Sequence, residues 1–241
     1  MNSFKKISDI NINNPKSWEN NFFLTFDIDW SHDKVINDTI DIVEKFDVCA
    51  TWFITHKTST LERLRSNPKF QLGIHPNFNN LIKGNHLNGN SLENIIDRML
   101  EIVPESQCVR SHSLFQSEKI FDLFLEKKLN YICNTFIPFD NSFSIQPWNL
   151  WNGIKIIPHS WQDNVSLKMK TGNFSDIPEN SLKVFDFHPI HIFLNTDNID
   201  KYESTRKYHQ NPEMLLNFRF QGEGIRNKLK SLINIKKLKK K

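Results

Sequence analysis

The chain has 241 residues, 38% of them hydrophobic and 12% aromatic, enough for one large core without requiring two domains. No run approaches the ~18 consecutive apolar residues of a membrane span. Met1-Asn2-Ser3-Phe4-Lys5-Lys6 leads into polar sequence, so no signal peptide is expected and a cytoplasmic location is. The formal charge of +4 is concentrated at one end, because residues 226–241 carry eight basic and no acidic side chains. The remainder is net negative, which argues against a nucleic-acid-binding body; the Lys-rich terminus is suited at most to weak peripheral contact with a membrane surface.

The first apolar run, Asn21-Phe22-Phe23-Leu24-Thr25, leads into Phe26-Asp27-Ile28-Asp29-Trp30-Ser31. Read as a strand over 21–29, it puts Asp27 and Asp29 on one side and Ile28 on the other. Two carboxylates so placed call for a cation, an arginine or a shared proton. Val35, Ile36, Ile40, Val43 and Phe46 then recur at helical spacing, and Ala50-Thr51-Trp52-Phe53-Ile54 reads as the next strand. A short helix over Leu61–Arg65 precedes a strand over Phe70–Ile74. Ser91 caps a helix whose Leu92, Ile95, Ile96, Met99 and Leu100 form one face, ending before Pro104. Cys108–Ser111 is a fourth strand, Ser117–Lys128 a helix, and Tyr131–Phe136 another strand, with two more near 154–157 and 182–187. Cys49, Cys108 and Cys133 lack paired spacing and fall in apolar runs, so they read as reduced core residues.

This serial alternation predicts an α/β fold of parallel strands covered by helices, either an open doubly wound sheet or a (β/α) barrel. The placement of reactive side chains favours the barrel. Asp27, Asp29, His56, His75, Arg110, His112, His159 and His188 each fall at or just past the C-terminal end of a predicted strand, the face on which such barrels build their sites.

In His75-Pro76-Asn77-Phe78-Asn79, Pro76 suits a first helical position, which would put His75 and Asn79 on one face as candidate ligands to a divalent cation. Arg110 is placed to hydrogen-bond a carboxylate of the first strand. His188, closing Phe185-Asp186-Phe187-His188-Pro189-Ile190-His191, is suited to donate a proton near neutral pH.

In their order and spacing, Thr25-Phe26-Asp27-Ile28-Asp29, Leu72-Gly73-Ile74-His75, Arg110 and Phe187-His188-Pro189 resemble the motifs of the NodB-type polysaccharide deacetylases, carbohydrate esterase family four. The likeness spans about residues 21–195. Its His-Pro-Asn-Phe-Asn, Arg-Ser-His-Ser and His-Pro-Ile-His variants look like the branch found in bacterial surface-polysaccharide (O-antigen) gene clusters. The resemblance implies a distorted (β/α) barrel and metal-dependent removal of N-acetyl groups from an amino sugar or glycan precursor. It assigns Asp27 as general base, Arg110 as the residue orienting it, and His188 as general acid. Asp29, His75 and Asn79 would hold the metal, with zinc the first expectation. Asn79 stands where the family usually has a second histidine, and an amide oxygen is a harder and weaker donor than imidazole.

Trp30, His56, His112, Trp161, Asp163 and His191 are further candidates for contact with the N-acetylated carbohydrate, and Trp148 and Trp151 for stacking on sugar faces. The expected division is an N-terminal extension over 1–20, the deacetylase-like barrel over 21–200, and a helical basic tail over 201–241. Two other readings remain open from sequence: a glycosyltransferase using the D-x-D pair, and a catalytically inactive carbohydrate-binding relic of the fold.

Overall fold

Seven consecutive residues, Asn21 to Asp27, are buried, the mark of a strand covered on both faces. The computed structural model, which describes residues 3–138, 144–169, 174, 178 and 180–238, makes this strand the hub of the fold. In chain order, β1 (Ser3–Lys5) precedes the hub strand β2 (Asn21–Asp27), α1 (Asp33–Lys45), β3 (Ala50–Ile54), α2 (Leu61–Ser66) and β4 (Phe70–Ile74). There follow α3 (Asn79–Ile82), α4 (Leu92–Ile102), β5 (Cys108–Val109), α5 (Glu118–Glu126) and β6 (Tyr131–Ile132). Next come β7 (Trp148–Asn149), β8 (Lys155–Ile156), β9 (Trp161–Gln162), α6 (Asp163–Met169) and β10 (Lys183–Phe187). The chain ends in α7 (Pro189–Leu194), α8 (Ile199–Ser204), α9 (Pro212–Leu216) and α10 (Ile225–Leu238). Helices α4 and α5 start where the hydroxyls of Ser91 and Ser117 accept from Asn94 and Ile120 backbone N–H groups.

The strands lie in the order β7-β8-β6-β5-β4-β3-β2-β10-β9, with β1 beside β2, and all pairings are parallel except β7 with β8. One extended stretch draws the two ends of this sheet together. Its first part pairs with β6 (Tyr131↔Lys155), its middle makes the Phe136↔His159 bridge, and its last part pairs with β10 (Phe185↔Trp161). The result is a curled, distorted barrel, irregular where the closing strands are only two residues long.

Alternation along the strands sorts two apolar clusters. Phe22, Leu24, Phe26, Trp52, Ile54, Val109, Ile132, Phe185 and Phe187 face the surrounding helices. Phe23, Phe53, Cys108, Cys133, Ile157 and Val184 fill the inside. The same period of two puts Thr25 and Asp27 in line with Phe23, Asp186 and His188 in line with Val184, and Arg110 in line with Cys108, stacking them toward the C-terminal mouth. Gly73 is required in this interior: a Cβ there would lie 2.7 Å from the Phe53 ring and 2.8 Å from Cys108 Sγ.

Both flanks set apart in the sequence reading pack into the barrel. Ile7, Ile10 and Trp18 join the interior cluster and close the end opposite the mouth, and β1 adds to the sheet. Ile225, Leu229, Leu232 and Ile233 of α10 are buried in the outer cluster, and Arg226 pairs with Asp38 of α1. Apolar residues in those flanks are the physical reason, since their spacing was outweighed in the sequence by polar neighbours. The final lysines, 239–241, and the side chains of 235–238 lie outside the described residues. No described helix is long and apolar enough to cross a membrane. All three cysteines are free, Cys108 and Cys133 buried and Cys49 half-buried.

Candidate active site

Strand β2 stops at Asp27, and the next turn separates the two aspartates. Asp29 and Trp30 adopt left-handed backbone angles, with φ of 36° and 53°. Such angles are unusual outside glycine and tolerated by aspartate. The two carboxylates therefore do not share a strand face, as the expected 21–29 strand required. They enter different environments.

Asp27 turns into the barrel, where its Oδ1 accepts from Arg110 Nη1 at 2.8 Å. Arg110 is fully buried; its Nε donates to the Cys133 carbonyl (3.2 Å), and its guanidinium lies 4.5 Å over the Phe53 ring. Its Nη1 also donates to Thr25 Oγ1 (3.0 Å) and to Asp186 Oδ1 (2.5 Å). Burial lowers the guanidinium pKa, yet Asp186 and Asp27 more than reverse this, so the charge is permanent. Burial raises the Asp186 carboxyl to about 7 even though Arg110 opposes it. Asp27, Asp186 and His188 form one tight group, whose two carboxylates are already answered by this guanidinium.

Asp29 meets imidazoles instead. Its Oδ1 lies 3.4 Å from His75 Nε2 and 3.4 Å from His112 Nδ1, and those two nitrogens are 3.3 Å apart. Burial pushes the Asp29 carboxyl up, but the close imidazoles of His112 and His75 and the charge of His188 hold it well below the usual carboxylate range. Ligands bound at 2.0–2.1 Å around a tetrahedral cation are separated by about 3.4 Å, which is the edge of this triangle. Hydrogen bonding alone does not account for it. If both imidazoles donated to Asp29, two N–H groups would face one another. One carboxylate oxygen with two imidazole nitrogens is also a donor set suited to zinc or a similar divalent ion. Asp27 Oδ2, 3.6 Å from His75 Nδ1, favours a proton on that nitrogen and leaves Nε2 free to ligate.

Asn79 is not in this triangle. Helix α3 begins at Asn79 rather than at Pro76, so no helical turn joins Asn79 to His75. Its Nδ2 donates instead to Ser113 Oγ at 3.0 Å. The third corner is His112, delivered by a turn in which its backbone N–H donates to the Pro76 carbonyl (2.9 Å) and Ser113 has a φ of 59°.

His188 stands on the other side of Asp29, its Nε2 3.5 Å from Asp29 Oδ2. Asp163, at the start of α6, grips it twice: Oδ2 accepts the His188 backbone N–H at 2.6 Å, and Oδ1 lies 2.7 Å from Nδ1. Burial lowers the imidazole's proton affinity, but Asp163, with help from Asp29 and Asp186, holds it well above the ordinary histidine value. Its Nε2 faces Asp29 and the centre of the site.

A cavity of about 670 Å³ opens over this centre, lined by Asp29, Trp30, His112, Asn164, Tyr202 and Arg206 among others. Its outer wall comes from α8 and the turn after it, fastened by Gln210 Nε2 donating to the Trp30 carbonyl (2.9 Å). Trp30 and His112 are the two sequence-expected sugar contacts found in this wall. Asp163 is fully buried under His188, and His191 is 1% exposed. Trp161 is buried among Phe174, Phe185 and Phe187, and His56 turns to Thr55 Oγ1 (2.9 Å). Trp148 and Trp151 are exposed on the β7–β8 hairpin, outside the cavity lining. Asn164, Tyr202, Arg206 and Asp186 were missed as site residues. Of these only Asp186 carried a signal, its place in register two residues before His188.

The profile of a protein family described as WbmS-like polysaccharide deacetylase matches residues 24–206. A crystal structure from Bordetella bronchiseptica, of a candidate polysaccharide deacetylase involved in O-antigen biosynthesis, is 44% identical in sequence. It superposes with a TM-score of 0.91 over 97% of this chain and 98% of that one. A second solved structure, a candidate polysaccharide deacetylase from Mycobacterium smegmatis, is 14% identical with a TM-score of 0.47, covering 89% and 91% of the two chains. A search of curated proteins gives no match. The profile takes in both aspartates, all three corners of the triangle and the His188–Asp163 pair, so the chain belongs to the WbmS-like polysaccharide deacetylase family.

Proposed function

We propose that this chain is a metal-dependent N-deacetylase that removes the acetyl group from an amino sugar or glycan precursor used in O-antigen synthesis. The observation that carries this reading is the 3.3–3.4 Å triangle of Asp29 Oδ1, His75 Nε2 and His112 Nδ1, flanked by a buried carboxylate and by a charged histidine. The likeness to the Bordetella protein supports the pathway.

Asp29, His75 and His112 would hold the divalent ion, zinc being the best fit to their donor set. When bound there, the ion supplies Lewis acidity toward the acyl oxygen of the substrate. Asp27, oriented by Arg110, takes a proton from the attacking water as general base. His188 enters the reaction protonated, because Asp163 holds Nδ1 and stabilises the charge; Nε2–H then points to the leaving nitrogen. Protonating that nitrogen allows the C–N bond to break and releases the amine with acetate. Each of the two proton transfers is worth roughly 10²–10⁴ in rate.

The D-x-D pair is not arranged as the paired ligands of a glycosyltransferase, since Asp27 is engaged by Arg110 and only Asp29 supplies an atom to the triangle with His75 and His112. Acetate release from N-acetylated sugars by the zinc-loaded protein, lost on chelation and restored by adding metal back, tests the proposal. Metal-independent release, or none from any N-acetylated sugar, counts against it.

A further inference from the structure

Beside His188 a short chain of side-chain hydrogen bonds runs outward to the cavity. His191 Nδ1 lies 3.1 Å from Thr196 Oγ1, and its Nε2 lies 2.7 Å from Asn164 Oδ1. His191 and Thr196 are buried, and the Tyr202 ring, 4.4 Å from the imidazole, covers it. Burial holds this imidazole down at about 4, so at neutral pH it carries one N–H. That hydrogen must be on Nε2, because a bare Nε2 facing a carbonyl oxygen would set two acceptors against each other. The Thr196 hydroxyl then donates to Nδ1. The polarity is fixed along the chain: Thr196 donates to His191, and His191 donates to Asn164.

The far end of this relay faces ligand space. Asn164 lines the cavity, its backbone is set by its N–H donating to Asp163 Oδ1 (2.7 Å), and its Oδ1 is used by His191. The side-chain Nδ2 has no partner among the described residues. Its two N–H groups are donors that this wall offers to a ligand. Asn164 directly follows Asp163, the residue that holds the proposed acid His188. It therefore stands on the side of the site where the amine departs, and in an N-acetylated sugar the amine belongs to the sugar ring. We propose that Asn164 is a sugar-binding residue, whose amide N–H groups, aimed by Thr196 and His191, donate to a hydroxyl oxygen of the amino sugar.

This inference rests on the deacetylase reading above, and the experiment separates the two. The probes are N-acetylhexosamines, free and carried on uridine diphosphate, and 4-nitroacetanilide, an acetamide without sugar hydroxyls. Asn164→Ala is expected to raise KM for the sugar about tenfold, the worth of one neutral hydrogen bond at the upper end, with kcat moved less than threefold. The ratio of kcat/KM for sugar over anilide should fall about tenfold. Asn164→Asp, which presents an acceptor in place of the donor, should weaken sugar binding at least as much. Thr196→Val should reproduce part of the loss in the wild-type background and none in Asn164→Ala.

An unchanged sugar-over-anilide ratio in Asn164→Ala overturns the contact, and full sugar binding by Asn164→Asp overturns the donor assignment. Failure of the metal-loaded wild type to release acetate from any probe overturns the deacetylase reading instead. The contact is then decided by calorimetry with the same sugars: tenfold weaker binding in Asn164→Ala upholds it, and equal or absent wild-type binding refutes it.

Discussion

Arg110 donates to Asp186 through the nitrogen that also serves the proposed base: Nη1 lies 2.5 Å from Asp186 Oδ1 and 2.8 Å from Asp27 Oδ1. One guanidinium thus answers two buried carboxylates, while Asp186 Oδ2 finds no partner among the described residues. Two buried anions on one cation leave an excess negative charge, which a low-dielectric interior penalises.

That excess gives stability a predictable dependence on pH. Burial raises the Asp186 carboxyl to about 7; Arg110 lowers it, and the Asp27 charge adds to the rise. Between the ordinary carboxylate range and about 7 the folded state keeps a proton that the unfolded chain releases, so stability declines as pH rises through that window. Asp186→Asn keeps the shape and cannot ionise. Its stability relative to wild type should increase between pH 5 and pH 8 in urea denaturation of the chelated proteins. A difference that is flat or declines with pH would show that Asp186 is an ordinary ionised partner of Arg110.

Asp27 and Asp29 should respond differently to removal of their charge. Asp27→Asn leaves the metal triangle intact and is expected to bind one equivalent of zinc while kcat falls by roughly 10²–10⁴. Asp29→Ala removes one of three ligands and should lose stoichiometric metal. Zinc content by elemental analysis, alongside acetate release, separates these outcomes. An Asp27→Asn enzyme of full activity would sink the base assignment.

The interior half of this site was legible in the sequence because strand alternation is a strict rule. Once residues 21–27 are a strand, Asp27 lies in line with Thr25 and Phe23, and the same counting brings Arg110 and His188 to the mouth. The Asp29–His75–His112 triangle was less legible, because it depends on turns. No periodicity signals the left-handed pair Asp29–Trp30 or the turn that swings His112 toward His75. Asp163 was read as a candidate sugar contact rather than as the partner of His188, since the two-residue strand before it is too short to show a pattern. Ile7, Ile10 and Trp18 reach the core as isolated apolar residues in a polar stretch, a contact that only the curled sheet makes visible.

His191 should produce a second, opposite dependence on pH. Burial holds its imidazole at about 4 although Asp163 pulls it upward, against 6.5 for a free histidine. Between those values the unfolded chain takes up a proton that the folded one refuses, so stability falls as pH drops through this interval. Relative to pH 7.5, the group costs about 2 kcal/mol at pH 5. His191→Gln cannot titrate, and urea denaturation at the two pH values should show wild type losing about 2 kcal/mol more than the variant. Equal losses would mean that the buried imidazole accepts its proton as readily as a free one.

The sharpest test of the metal site sets Asn79 against His112. Asn79 reaches the turn that carries His112, its Nδ2 donating to the oxygen of Ser113, the next residue. Only His112 supplies an atom to the triangle, 3.4 Å from Asp29 and 3.3 Å from His75. A ligand and a residue that merely steadies a ligand's turn differ in what their loss removes. Without His112 two protein donors remain, too few for a tight site, and zinc affinity should fall by at least about a hundredfold. Without the Asn79 amide the turn loses one hydrogen bond but keeps its backbone anchor to Pro76, so Asn79→Ala should bind one equivalent of zinc with affinity reduced by less than about tenfold. Calorimetric titration of zinc into chelated His112→Ala and Asn79→Ala reads both quantities. The reverse order of losses would return the third corner to Asn79, the residue that sequence alone put there.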